Sequence, residues 1–211
     1  MKHLIIIGCG GFAREVYDTA CNSVGYLVEY DIKGFLQGDV LLPEDELSLL
    51  PMPVLGTILE YKFQSDDVCI CGIGSPAGRQ KLCQIAMERG AEFTNVIHKY
   101  SCVSARAKLG TGIVLCAFSS ISCDTVVGNH VAINSHSGMG HDSSVGDYSV
   151  ISAHCDLTGH VQAGARTFFA GGSRALPHAR IGDDAYIGAG SVVFKKVKPG
   201  KKVFGNPAME V

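Results

Sequence analysis

An unbroken six-residue period runs through the centre of this 211-residue chain and limits its fold more than any other feature. From Ile97 onward every sixth position is apolar: Val103, Leu109, Leu115, Ile121, Val127, Ile133, Met139, Val145, Ile151, Leu157, Ala163, Phe169, Ala175, Ile181, Ile187 and Val193. The position after each is mostly small, as at Gly110, Gly128, Gly140 and Gly146. Four places after each lies a small or β-branched residue, as at Ser119, Thr125, Ser137 and Thr167. Neither helical nor strand periodicity accounts for a strict six. A hexapeptide repeat marks a parallel β-helix, in which each short strand buries one side chain in a narrow core. The small partners leave room where the chain turns tightly. Such a solenoid is built from coils that touch only their neighbours, so both ends need covers.

The rest of the chain is ordinary by comparison. A net charge of -2 gives no general attraction to nucleic acid, and no run of apolar residues is long enough to span a membrane. The opening His3-Leu4-Ile5-Ile6-Ile7-Gly8 reads as a buried strand and not as a leader peptide. Nine cysteines are scattered, odd in number and mostly in apolar surroundings, which suits free thiols in a reducing cytoplasm.

Residues 1–95 read as a small α/β domain, and residues 96–211 as the β-helix with its C-terminal tail. In the first part, strand, Gly8-Cys9-Gly10-Gly11-Phe12 turn and helix make a ready anion site of backbone amides and helix dipole. A second strand is expected within 27–36, a third at Val54-Leu55-Gly56, a fourth at 68–74 ending in Gly72 and Gly74, and a helix over 79–89. That order predicts a small, Rossmann-like parallel sheet that takes a ligand at its strand C-termini. The glycines fall short of a full dinucleotide fingerprint, because position 13 is Ala13, so a single nucleotide diphosphate fits better than a dinucleotide. Within the repeat, histidines stand out: His130, His136, His141, His154, His160 and His178. His141 is followed by Asp142, and a carboxylate beside an imidazole can fix its tautomer and raise its basicity.

Taken together, these motifs resemble one family. The carriers are the 8–16 stretch, Asn134 through His141-Asp142, Val145-Gly146-Asp147, Gly159, the 181–193 stretch and the closing Gly205-Asn206-Pro207-Ala208. The chain resembles the hexapeptide-repeat sugar-nucleotide acetyltransferases related to bacillosamine-type N-acetylation and sialic-acid O-acetylation. The resemblance implies a left-handed β-helix with three strands and eighteen residues per coil, about five coils over the repeat. It implies acetyl-CoA as co-substrate, no metal, a homotrimer, and a nucleotide-linked amino-sugar as acceptor. His141 would be the general base and Asp142 its partner. Gly10, Gly11, Phe12, Gly74, Ser75 and Asn134 would meet the nucleotide-sugar. Gly159, Gly171 and Ala189 would line the acetyl-CoA groove between subunits. The clustered Lys195, Lys196 and Lys198, close to the nucleotide end of CoA in that family, would meet its phosphates as point charges.

Two positions depart from the family. Where relatives often carry a second histidine nine residues after the base, this chain has Val150, with His154 four residues further on. Where they often carry paired acids after the second strand, it has Gln37-Gly38-Asp39. Two alternatives follow: O-acetylation of a sialic-acid-like sugar, and a zinc carbonic-anhydrase-like protein. The second would use His136 and His141, five residues apart, with a third ligand near Tyr100, where His98 is closest.

Overall fold

The computed structural model describes residues 1–38 and 41–211. Asp39, the acid expected after the second strand, lies outside the described residues. The chain opens with β1 (Lys2–Ile7), α1 (Gly11–Cys21), β2 (Tyr30–Gln37), the short α2 (Glu44–Leu47), β3 (Val54–Thr57), β4 (Asp67–Cys71) and α3 (Pro76–Glu88). The four strands form a parallel sheet in the order β3-β2-β1-β4. Leu4, Ile5, Ile6 and Ile7 of β1 are fully buried, as an apolar run covered on both faces must be. The chain winds from β1 out to β3 and then returns to the far side of β1, so the order reverses between β1 and β4. Ligands of such sheets bind outside the strand C-termini at that reversal. Two differences from the sequence reading concern helices. α2 was not expected, and α3 starts three residues early, because Pro76 sits where a helix tolerates a missing N–H.

From Val96 the chain winds into a left-handed parallel β-helix, a three-sided prism. Its first face has strands such as Val114–Leu115, Ala132–Ile133 and Val150–Ile151; its second has Ser120–Ile121, Gly138–Met139 and Asp156–Leu157; its third has Val126–Val127, Ser144–Val145 and Gln162–Ala163. Each strand pairs with the one eighteen residues on, as in Ala132 with Val150 and Gly138 with Asp156. The repeat's apolar positions fill the interior: Leu115, Ile133, Ile151, Phe169 and Ile187 are at most 0% exposed. Hydroxyls at the fourth place also point inward and close onto carbonyls of the next coil, Ser137 Oγ to the Ser152 carbonyl at 2.6 Å and Ser149 Oγ to the Gly164 carbonyl at 3.1 Å. Without those partners each buried hydroxyl would cost about 1–3 kcal/mol. The prism also outruns the sequence grid. Lys196–Val197 and Lys202–Phe204 continue the third and first faces, paired sixteen residues back instead of eighteen.

The turns obey a rule of their own. Every sixth residue from Gly112 to Gly190 has a positive φ: among them Phe118, Asp124, His130, His136, Asp142, Tyr148, His154, His160, Arg166, His178 and Asp184. These are the third places after the inward residues, so each corner is made by one left-handed residue. Asp and His tolerate that conformation better than most non-glycine residues.

The N-terminal layers pack on the first face. Val96, Val114, Ala132 and Val150 share one core with Leu4, Ile6, Val16 and Ala20. The fully buried Arg79 fastens them at the edge between the third and first faces, its Nε donating to the His130 carbonyl and an Nη to the Ile73 carbonyl at 2.7 Å. Across the face, α1 borders the edge between the first and second faces, where Asn134 Nδ2 donates to Glu15 at 3.2 Å.

Candidate active site

The remaining edge, between the second and third faces, carries His141 and Asp142. Nδ1 of His141 lies 2.8 Å from Oδ2 of Asp142. The corner at Asp142 has φ 59°, and that backbone turn is what swings the carboxylate back against the preceding ring. The His141 hydrogen bond holds the Asp142 carboxyl below the usual carboxylate range, with the His160 and Arg106 charges adding to it. One coil on, Gly159 lies beneath the imidazole; a Cβ there would come within 2.7 Å of His141 Nε2. His160 meets His141 edge-on, with ring centroids 5.1 Å apart, and its Nε2 stands 3.9 Å from the same Asp142 oxygen. All three side chains are about half exposed. An imidazole with one nitrogen anchored to a carboxylate and the other facing a cleared surface can accept a proton from a docked nucleophile.

A second site lies at the end of the parallel sheet. A cavity of about 290 Å³ is lined by Gly8, Gly10, Gln37, Ile73, Gly78 and Leu82, with Cys9, Gly38 and Leu42 completing it. Gly8, at φ 111°, lies so close to Ile73 that a Cβ would clash at 2.8 Å. α1 has Gly10 at its N-cap, with no side-chain cap and no acid in its first turn, which leaves amide donors for an anion. Of the residues expected here, Gly10 lines the cavity, while Phe12 packs against Gly74 beside it, 3.7 Å from where a Gly74 Cβ would stand. Ser75 stands at the N-cap position of α3 next to Gly78, with no side-chain capping hydrogen bond. Ile73 and Leu82 were missed because in sequence they read as core; their place just after β4 and on the inner face of α3 was the available signal.

Other expected residues separate. Asn134 lines a cleft of about 470 Å³ with Glu15, Asp18, Asn22, His98 and Ser135, against α1. Gly171 and Ala189 share that first edge, whereas Gly159 lies on the second edge with His141; the two sets flank opposite margins of the second face. His136 and His154 stack at 4.9 Å on the first edge, away from His141. Val150 is buried under the N-terminal layers, so the place of the second histidine is closed off by this chain's own core. Lys195 and Lys196 sit on the shortened last turn of the second edge, in line with His141, Gly159 and His178; Lys198 lies beyond them, near Glu210. His160, beside the His141–Asp142 pair, was not singled out for it, because eighteen residues of sequence separate it from Asp142.

Comparison with known proteins agrees with this architecture. Residues 3–86 match the family model described as the PglD N-terminal domain. The structure is similar to a perosamine N-acetyltransferase, PerB, from Caulobacter crescentus, solved with CoA and GDP-perosamine: 28% identity, TM-score 0.87, covering 100% of this chain and 98% of that one. That enzyme was also solved as histidine-to-asparagine and histidine-to-alanine mutants with the same ligands. It is similar too to the acetyltransferase domain of PglB from Neisseria gonorrhoeae with acetyl coenzyme A: 26% identity, TM-score 0.88, covering 100% and 99%. Acetyltransferases named from Staphylococcus aureus strains COL and N315 share 42% identity over 53 residues. Those residues are 25% of this chain and 27% of theirs, so the chain spans about a quarter of the curated relatives it matches.

Proposed function

Because this chain belongs to the hexapeptide-repeat sugar-acetyltransferase family, we propose that it transfers the acetyl group of acetyl-CoA to the amino group of a nucleotide-linked amino-sugar. The observation that carries the reading is the His141–Asp142 pair, 2.8 Å apart at an open edge above Gly159. In this reading residues 1–95 form the nucleotide-sugar domain and residues 96–211 the acyltransferase domain of a cytoplasmic homotrimer. The nucleotide diphosphate takes the amides at the start of α1, with Gly10, Gly11, Phe12, Gly74 and Ser75 around it. His141 accepts the amine proton as the nitrogen attacks the thioester carbonyl, and the C–S bond breaks to release CoA. Asp142 holds the ring and stabilises its cation. Gly159 and the lysines at the last turn line the donor's path on one chain, and Gly171 and Ala189 meet it from the first edge of the neighbouring chain.

The test is release of free thiol from acetyl-CoA in the presence of UDP-, dTDP-, GDP- and CMP-linked amino-sugars and of free sialic acid. Turnover with one of the nucleotide amino-sugars supports the reading. Turnover with sialic acid alone replaces it with O-acetylation, and no thiol release with any acceptor defeats it.

A further inference from the structure

We propose that His141, Asp142 and His160 form a surface site for one borderline divalent cation, zinc before others, bound through Nδ1 of His141, and that the bound ion inhibits the enzyme by breaking the His141–Asp142 pair that orients its base. One ligand atom from each residue lies within 4.8 Å of the other two. The set comes from two coils, with His160 stacked by the eighteen-residue register above Asp142. A tetrahedral zinc ion bonded at about 2.1 Å holds its ligands about 3.4 Å apart. The His141–Asp142 separation of 2.8 Å and the Asp142–His160 separation of 3.9 Å bracket that value. The side chains are exposed, so small rotations close the set and leave a fourth position open to water.

One further feature favours an ion here. His160 is backed by His178, stacked at 4.7 Å and 4° between planes, which holds the coordinating ring in place. Two imidazoles and one carboxylate suit zinc and its neighbours, whereas calcium and magnesium require more oxygen ligands. The inhibition rests on His141 being the base; the site itself does not.

The experiment reads binding and transfer separately on the full chain. Equilibrium dialysis counts Zn²⁺ per chain, and the visible spectrum of Co²⁺ reports the ligands. The expected result is one ion per chain with a cobalt spectrum of nitrogen and oxygen ligands. Affinity should fall about tenfold or more in His160→Ala and in His141→Ala, as losing part of a coordination set does. His160→Asn, which suits the left-handed backbone at φ 60°, repeats the test should the alanine variant fold poorly. His154→Ala on the first edge should bind as the parent does. Affinity unchanged in the His160 variants, or a cobalt spectrum with thiolate charge transfer from Cys102 or Cys123, overturns the site. In the second arm zinc slows thiol release with an inhibition constant matching the dialysis value, and a chelator reverses it. Zinc bound as expected without slowing transfer would leave the site standing and remove His141 as base.

Discussion

Among the histidines of the prism, His141 alone has no structural reason to be a histidine. His130, His136, His154, His160 and His178 all occupy left-handed corners, a backbone role that imidazole tolerates. His141 precedes such a corner, and its ring meets Asp142, the edge of His160 and the surface. His141→Ala should therefore leave the melting temperature and acetyl-CoA binding near those of the parent while slowing transfer by about a hundred- to ten-thousand-fold at saturating acceptor. Asp142→Asn should lose less, since it orients the ring without taking the proton. Near-normal thiol release by His141→Ala would remove the base assignment. His130 makes the opposite case, a histidine whose titration concerns folding. Burial, reinforced by the Arg79 charge, lowers its pKa from the ordinary 6.5 to about 4. The unfolded chain takes up its proton below pH 6.5, whereas the folded protein resists until about pH 4. Stability is therefore intact above that window and falls as the pH drops through it, by up to about 3 kcal/mol. Melting curves of His130→Asn, which suits the same φ of 54°, should lose less stability than the parent between pH 6.5 and 4. Equal acid losses in the two proteins would show that His130 is not the group responsible.

At the scale of elements, the second edge works as a ruler. His141, Gly159, Pro177 and the last turn at Lys195 stand on successive coils, and adjacent parallel strands are about 4.8 Å apart. Lys195 is thus about three coils, or about 14 Å, from the base, a reach suited to an extended donor whose thioester lies at His141 and whose phosphates lie at the lysines. Neutralising Lys195, Lys196 and Lys198 together should raise KM for acetyl-CoA with little change in kcat, because a charge remote from the reacting carbonyl binds ground and transition states alike. The effect should fade with added salt, which screens exposed charges over about 10 Å at 0.1 M. An unchanged KM at low salt would return these lysines to the solvated surface. Much of this was legible beforehand, and the reason differs by element. Each coil repeats one buried residue, so Leu115 through Val193 announce the prism on their own. The corner residues share only a backbone angle, and Phe118, Asp124, Tyr148 and Arg166 have nothing in common for a reader of side chains to notice. For the same reason the division of Gly159 from Gly171 and Ala189 was hidden: all sit at the same place in the hexapeptide, and only the count around three faces puts them on different edges. In the N-terminal layers the strands were visible as apolar runs, but Ile73 and Leu82 look the same in sequence whether they fill a core or line a cavity.

The arrangement of the whole molecule sets its last demand. The N-terminal layers cover the first face and are tied to its two bounding edges, by Arg79 to the His130 carbonyl on one side and by Glu15 to Asn134 on the other. His141 stands on the one edge that the first face does not share. A sugar held, as proposed, in the cavity of β1, β2 and α3 would therefore be carried on the opposite side of the prism from its own chain's proposed base. A second copy resolves this, by bringing its His141 edge against the cleft beside α1, and three copies close such a heterologous contact into a ring. The protein should then be a homotrimer with three sites, each taking its nucleotide pocket from one chain and its base from the next. Light scattering at micromolar concentration measures the first part. The second is checked by mixing two inactive chains. One is His141→Ala; the other carries Gly8→Val, which fills the pocket floor against Ile73 at a φ of 111° that valine resists. Each should be inactive alone, and refolding them together should restore about a quarter of parental activity, the share of sites that draw both working parts in a random mixture. A trimer whose mixtures stay inactive would place base and pocket in the same chain, and a fully active monomer would remove the shared site altogether.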